Sequence, residues 1–232
     1  MSVYTIEGNI GSGKSILLEM ISKYQNIIPI DEPVNVWKSI MDVEGMNMIE
    51  KFYANQKKYA FSFQMMAYIS RLHLLKKALR ENPDGIFISE RSIYTDRYVF
   101  AKMLYDDKKI EKVNYEIYLK WFDEFAQEFP MKGIIYLQTS PNVCHKRIKL
   151  RARKGEENIS LEYVKRCHTF HEKWINNDKT TLFLNGDITT PKDHLNQIKI
   201  FTCNHKWVDI STFDVQNHCR EYKCEKCEFI RN

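Results

Sequence analysis

The octet Gly8-Asn9-Ile10-Gly11-Ser12-Gly13-Lys14-Ser15 fits the pattern G-x-x-x-x-G-K-[ST], whose residue types are dictated by the chemistry of phosphate. Glycines let the backbone wrap close to phosphate oxygens, while successive N–H groups and the following helix N-terminus supply partial positive charge. Lys14 then reaches the β- and γ-phosphates, and the hydroxyl of Ser15 suits Mg²⁺. With glycine at about 7% of residues, the bare pattern arises by chance in roughly one chain in a hundred of this length. Here an apolar run, Val3 to Ile6, precedes it and a helical pattern follows, which is the context the chemistry needs. Such a loop says what is held and leaves open what is done with it.

Three further polar clusters bear on that question. Asp31-Glu32-Pro33-Val34 follows a second strand-like run, so Glu32 sits at the carboxyl end of a sheet, where open α/β folds bind ligands and where a carboxylate can take a hydroxyl proton. Glu90-Arg91-Ser92 follows a third run in the same way. Taken singly, either cluster is equally compatible with a helix cap or a surface ion pair. The third cluster, Lys146-Arg147 through Arg151-Ala152-Arg153 to Glu156 and Glu157, lies at the end of a predicted helix, with Arg147 and Arg151 on one face. A solvated charge run is one reading. A mobile arginine lid, closing over the charge that spreads across a γ-phosphate during transfer, is the other.

The elements that must position these groups are legible from hydrophobic period. Runs at Val3 to Ile6, Ile27 to Ile30, Ile86 to Ile88, Ile134 to Leu137 and Leu182 to Leu184 alternate with helical spacing at Ser15 to Tyr24, about Lys57 to Arg80, Tyr115 to Phe129, Asn142 to Arg153 and Leu161 to Asn176. That alternation predicts an α/β fold, a parallel five-stranded sheet flanked by helices. Asn82-Pro83-Asp84-Gly85 is a turn cluster between a long helix and the Ile86 strand. The 232 residues allow one main domain, and 44% hydrophobic with 13% aromatic content argues against disorder. A net charge of +5 fits anionic ligands, yet 30 acidic residues set against 35 basic ones leave no polybasic tract. The absence of a long apolar stretch or signal-peptide pattern leads us to expect a cytoplasmic protein.

With these residues in view, the chain resembles the deoxyribonucleoside kinases, most closely the deoxycytidine and deoxyguanosine kinase branch. The likeness covers nearly everything before about residue 195. It is carried by the phosphate loop, Glu32-Pro33-Val34 with Trp37, Phe61-Ser62-Phe63-Gln64 with Ser70-Arg71, Glu90 to Arg97, Gly133 to Gln138, and Arg151-Ala152-Arg153 leading to Leu161-Glu162-Tyr163. The resemblance implies transfer of the γ-phosphate of ATP to a deoxyribonucleoside 5′-hydroxyl. By the same resemblance Glu32 activates that hydroxyl, Arg91 holds it and the incoming phosphate, and Glu90 helps Ser15 organise Mg²⁺. Gln64 pairs with the base edge beside Trp37 and Phe63, with Val34 lining the pocket. Tyr53 and Glu156, rather than Glu157, hold the sugar 3′-hydroxyl, and Arg147, Arg151 and Arg153 form the lid. Ala67, Arg71 and Asp96 match positions that set base choice and imply deoxycytidine or purine deoxynucleosides over thymidine. A homodimer is implied as well.

Two other readings share part of this inventory. A nucleoside-monophosphate kinase has the same loop with an acceptor that already carries phosphate. A guanine-nucleotide switch would use Asp42-Val43-Glu44-Gly45 as a D-x-x-G element, but no strand-like run precedes it and no N-K-x-D segment accompanies it. After about Ile200 the alternation gives way to a Cys/His-rich tail, so we expect a kinase domain over 1–199 and a zinc-binding module over 200–232. Cys203-x-His205 and Cys224-x-x-Cys227 form two ligand pairs across residues 206–223, a spacing that resembles a zinc ribbon, with His218 or Cys219 as substitutes for one ligand.

Overall fold

The computed structural model describes residues 2–23, 27–126, 131–176, 180–188, 191–203, 206–209, 222–228 and 230–231. They form two compact units, Met1–Thr189 and Thr190–Asn232.

In the first unit, five parallel strands lie in the order β2 (Ile27–Ile30), β3 (Ile86–Glu90), β1 (Ser2–Glu7), β4 (Gly133–Gln138), β5 (Thr181–Asn185). The central strand β1 is buried along its whole length, pairing Tyr4 with Ile88 on one side and with Gly133 on the other. A strand covered on both faces reads as a near-continuous apolar and β-branched run, as Val3 to Ile6 does. The chain leaves β1 toward β2 and β3 on one side and returns to β4 on the other, so the order reverses at β1. The crevice at its carboxyl end is therefore where a ligand belongs.

Helix α1 (Lys14–Ile21) follows the phosphate loop directly, and α4 (Gln56–Glu81) is the long helix predicted at about residues 57–80. Helix α4 buries Tyr68, Leu72 and Leu79 in the main core with Phe87 and Phe122, while Gln64, Ala67 and Arg71, three and four residues apart, share another face. Helices α7 (Lys112–Ala126), α8 (Pro141–Arg151) and α9 (Leu161–Ile175) match the remaining helical patterns. Asn82 to Gly85 is a turn, closed by the Gly85 N–H donating to Asn82 O at 3.1 Å.

Two short helices, α2 (Val34–Ser39) and α3 (Met48–Ala54), were not legible from periodicity. The stretch after β3 runs as α5 (Ile93–Thr95), a π-helical segment Asp96–Ala101, and α6 (Lys102–Asp106). Between α2 and α3, the oxygen Oδ1 of Asp42 accepts from the N–H groups of Glu44 and Met46, and Gly45 has φ 77°. The D-x-x-G sequence is thus a side-chain-closed turn. Among the described residues no helix is long and apolar enough to cross a membrane.

The second unit holds α10 (Pro191–Thr202) and an antiparallel sheet of β6 (Trp207–Asp209), β7 (Tyr222–Cys224) and β8 (Ile230–Arg231).

Candidate active site

The phosphate loop leaves β1 at the switch point, and its backbone needs its glycines. Gly11 has φ 76°, and a Cβ there would lie 2.5 Å from the carbonyl oxygen of Cys144. Lys14 is buried and donates from Nζ to Asn9 O at 2.8 Å. Burial, reinforced by the positive charge of Arg91, lowers its ammonium to about 8. Ile10, Gly11, Lys14 and Ser15 line the cavity beside the loop. The side chain of Asn9 instead ties the loop to α9, donating to Val164 O at 2.8 Å and accepting from the N–H of Ile10. Ser12 Oγ is buried with no protein partner among the described residues.

At the carboxyl end of β2, Glu32 meets two guanidinium groups. Arg71 Nη2 donates to Glu32 Oε1 at 2.6 Å, and Arg91 Nε lies 3.4 Å from the same oxygen. Burial alone pushes this carboxyl up. The charges of Arg71, Arg91 and Lys14 together outweigh burial and hold it at about 2. Arg71 also reaches Asp96 Oδ2 at 3.0 Å and Oδ1 at 3.3 Å through Nε, so one buried guanidinium joins two carboxylates. Burial raises Asp96 to about 6, against the pull of Arg71.

Arg91 has φ 65°, the left-handed region that costs a non-glycine residue about 1–3 kcal/mol and collects at functional sites. Its surroundings hold it there: its N–H donates to Ile6 O at 3.0 Å and Nη1 donates to Gly8 O at 2.9 Å. The next residue is fixed by Glu7, fully buried, which accepts from the N–H of Ser92 at 2.9 Å and from the hydroxyl of Thr95. Beside it, Ser15 Oγ donates to Glu90 Oε1 at 3.0 Å. A hydroxyl and a carboxylate together form a hard-oxygen pair suited to Mg²⁺.

Part of the cavity lining is an apolar cluster. Trp37 packs on Phe63 with ring centroids 5.6 Å apart and donates from Nε1 to Ser70 Oγ. Val34, Ile49 and Ala67 join the same cluster. Gln64 lines the same cavity, buried, and its Oε1 has no protein partner among the described residues. A polar atom buried without a partner is costly unless a ligand satisfies it.

Tyr53 and Glu156 line the cavity as well. Burial pushes the hydroxyl of Tyr53 up, which keeps it a proton donor. Glu156 is buried, whereas Glu157 is exposed and accepts from the N–H of Gly155. The three arginines of the expected lid do not act alike here. Arg151 and Arg153 line the cavity and donate to the two oxygens of Glu156 at 2.5 and 3.3 Å, while Arg147 donates to Ser12 O at 3.0 Å.

Some residues of the site escaped sequence reasoning. Phe100 and Tyr163 line the cavity, and Phe100 lies under the Arg91 guanidinium at 5.0 Å from its ring centroid. Phe100 is brought there by the π-helical segment, which no hydrophobic period announces. Glu7 had a signal, a carboxylate ending an apolar strand just before the loop.

In the tail, Cys203, Cys224 and Cys227 place their sulfurs within 4.8 Å of one another. His205, His218 and Cys219, weighed as ligands from the sequence, lie outside the described residues.

Residues 4–229 match the deoxynucleoside kinase family. The chain is 35% identical to a probable deoxycytidine kinase of Fowlpox virus over 79% of its length and 78% of the relative's. It is 32% identical to Homo sapiens deoxycytidine kinase over 85% and 81%, and 31% identical to the mitochondrial deoxyguanosine kinase of Xenopus laevis over 76% and 74%. A reversal point bearing a phosphate loop, a carboxylate held between two arginines and an apolar pocket with an unsatisfied amide thus agrees with sequence likeness along most of the chain, which belongs to the deoxynucleoside kinase family.

Proposed function

We propose that the chain transfers the γ-phosphate of ATP to the 5′-hydroxyl of a deoxyribonucleoside, in cytoplasmic nucleotide salvage, and that it favours deoxycytidine or purine deoxynucleosides over thymidine. The observation that carries this reading is one cavity lined both by Lys14, Ser15 and Glu32 and by Gln64, Trp37 and Phe63. The base lies beside Trp37 and Phe63 with its edge on the amide of Gln64, whose Oε1 has no protein partner among the described residues. The sugar 3′-hydroxyl meets Tyr53 and Glu156, and the 5′-hydroxyl meets Glu32 and Arg91.

Glu32 stays ionised at any physiological pH and accepts the hydroxyl proton. A carboxylate at about 2 is a weak base. It suffices because phosphoryl transfer runs through a loose transition state with little bonding to the acceptor oxygen, so the proton leaves late, once the forming O–P bond has made the hydroxyl strongly acidic. Lys14 exchanges Asn9 O for the β- and γ-phosphates, and Arg91 spans acceptor and phosphate. Ser15 and Glu90 would hold Mg²⁺, which would supply charge neutralisation on the phosphate oxygens. The remaining positive charge comes from Arg147, Arg151 and Arg153.

Base preference rests on the Arg71–Asp96 pair, formed at 3.0 Å, and on relatives named for deoxycytidine and deoxyguanosine. The assay is initial-rate phosphorylation of each deoxynucleoside with ATP and Mg²⁺. Higher kcat/KM for thymidine, or activity on monophosphates alone, overturns the reading. The homodimer is proposed from α7, which exposes Val113, Ile117 and Trp121 at every fourth position. Light scattering of the protein against Trp121→Glu tests it, and a monomeric unsubstituted protein refutes it. Zinc enters only as a structural ion of the tail, with no part in the transfer.

A further inference from the structure

The second unit contains a cluster that the transfer chemistry leaves unused. Cys203 follows α10 directly, its N–H donating to Ile200 O at 3.2 Å. Cys224 ends β7 and Cys227 closes the turn after it. That turn is fixed by two backbone hydrogen bonds, the N–H of Glu228 to Cys224 O at 2.9 Å and the N–H of Glu225 to Lys206 O at 3.0 Å, with Glu228 in the left-handed region at φ 64°. A helix end and a strand–turn separated by some twenty residues thus converge on three sulfurs.

We propose that Cys203, Cys224 and Cys227 form a structural zinc site that staples this unit together. The spacing agrees with the ion. Zn–S bonds of 2.3 Å at tetrahedral angles set neighbouring sulfurs about 3.8 Å apart, and Cys203 Sγ lies 3.7 Å from Cys224 Sγ. A disulfide would need about 2.05 Å and would leave the third thiol without a purpose. Cys224 and Cys227 are buried, which shields the site from solvent, and three thiolates suit a soft or borderline ion over Mg²⁺. Size gives an independent reason. The unit Thr190–Asn232 is near the length, about 40 residues, below which a chain needs metal, disulfides or a partner to hold a fold. The three sulfurs take no part in the nucleotide cavity, so failure of this site would leave the kinase reading untouched. A tetrahedral ion takes a fourth donor beyond these three sulfurs.

Metal analysis of the full chain, purified without chelator and under reducing conditions, tests the site. We expect about one zinc per chain, and about a tenth of that or less in Cys224→Ser with Cys227→Ser. Because the double variant removes the turn's ligands together, Cys203→Ser provides a second measurement. After exchange of zinc for Co²⁺, that variant should lose about a third of the thiolate-to-cobalt charge-transfer absorption, one sulfur in three. Less than about half an equivalent of zinc in the folded chain overturns the proposal, as does zinc content unchanged in the double variant, iron in place of zinc, or cobalt absorption unaffected by Cys203→Ser.

Discussion

Replacing Glu32 by Gln removes one charge from the centre of the site and nearly preserves its shape. The carboxyl is held at about 2 against an ordinary 4.5, because Arg71, Arg91 and Lys14 together outweigh the burial that would raise it. That difference corresponds to on the order of 3 kcal/mol in favour of the ionised carboxylate in the folded state. Since the folded value is depressed, the contribution is complete above about pH 4.5 and disappears as pH falls toward 2. Glu32→Gln should therefore lower unfolding free energy by about 3 kcal/mol at pH 7, with the gap to the unsubstituted protein narrowing in acid. Loss of a positioned base should also slow phosphoryl transfer by about a hundredfold to ten-thousandfold. Rapid-quench single turnovers at saturating nucleoside give the chemical step, and urea unfolding gives the stability. Asp31→Asn, exposed and adjacent, serves as the charge control and should move stability by no more than about 0.5 kcal/mol. Near-normal single-turnover rates in Glu32→Gln would refute the base assignment, and equal stability at pH 7 would refute the electrostatic account.

Three other outcomes follow from the same geometry. Lys14, lowered to about 8, loses its proton one step above neutrality, so kcat/KM for ATP should fall tenfold per pH unit above about 8; a flat profile to pH 9.5 would contradict it. Gln64→Leu should raise the melting temperature, because it removes a buried acceptor without a partner, yet cut kcat/KM for the nucleoside by about tenfold to a hundredfold; loss of stability would show that Gln64 is structural. Gly11→Ala places a Cβ 2.5 Å from Cys144 O at φ 76°, and should weaken ATP binding and cost about 1–3 kcal/mol of stability, read by titration and thermal unfolding; ATP affinity unchanged would mean the loop tolerates a side chain.

Much of the frame was legible because it rests on strong local signals. A fully buried parallel strand needs a near-continuous apolar and β-branched run, a phosphate loop needs its glycines and lysine, and helices of three turns or more show their period. Helices α2 and α3, at six and seven residues, are too short for a period to emerge, and α3 is instead announced by the capping box of Asn47 and Glu50. The π-helical segment leaves no pattern because its extra residue is selected by what it presents to the cavity, Asp96 and Phe100, rather than by its own face. Pairings over long separations, such as Glu7 with Ser92 or Arg71 with both Glu32 and Asp96, are products of topology. Spacing placed each residue at a strand end or on a helix face and could not say which guanidinium meets which carboxylate.

The double engagement of Glu156 by Arg151 and Arg153 has a thermodynamic consequence. One carboxylate, proposed to receive the sugar, now occupies the two guanidiniums proposed to receive the donor's phosphates. An acceptor that takes up Glu156 competes with those contacts and frees positive charge for ATP, so each ligand tightens the binding of the other, and by the same factor. When water alone fills the acceptor end, Arg151 and Arg153 remain neutralised by their neighbour. On those proposed roles the donor's phosphates would then meet an incomplete clamp.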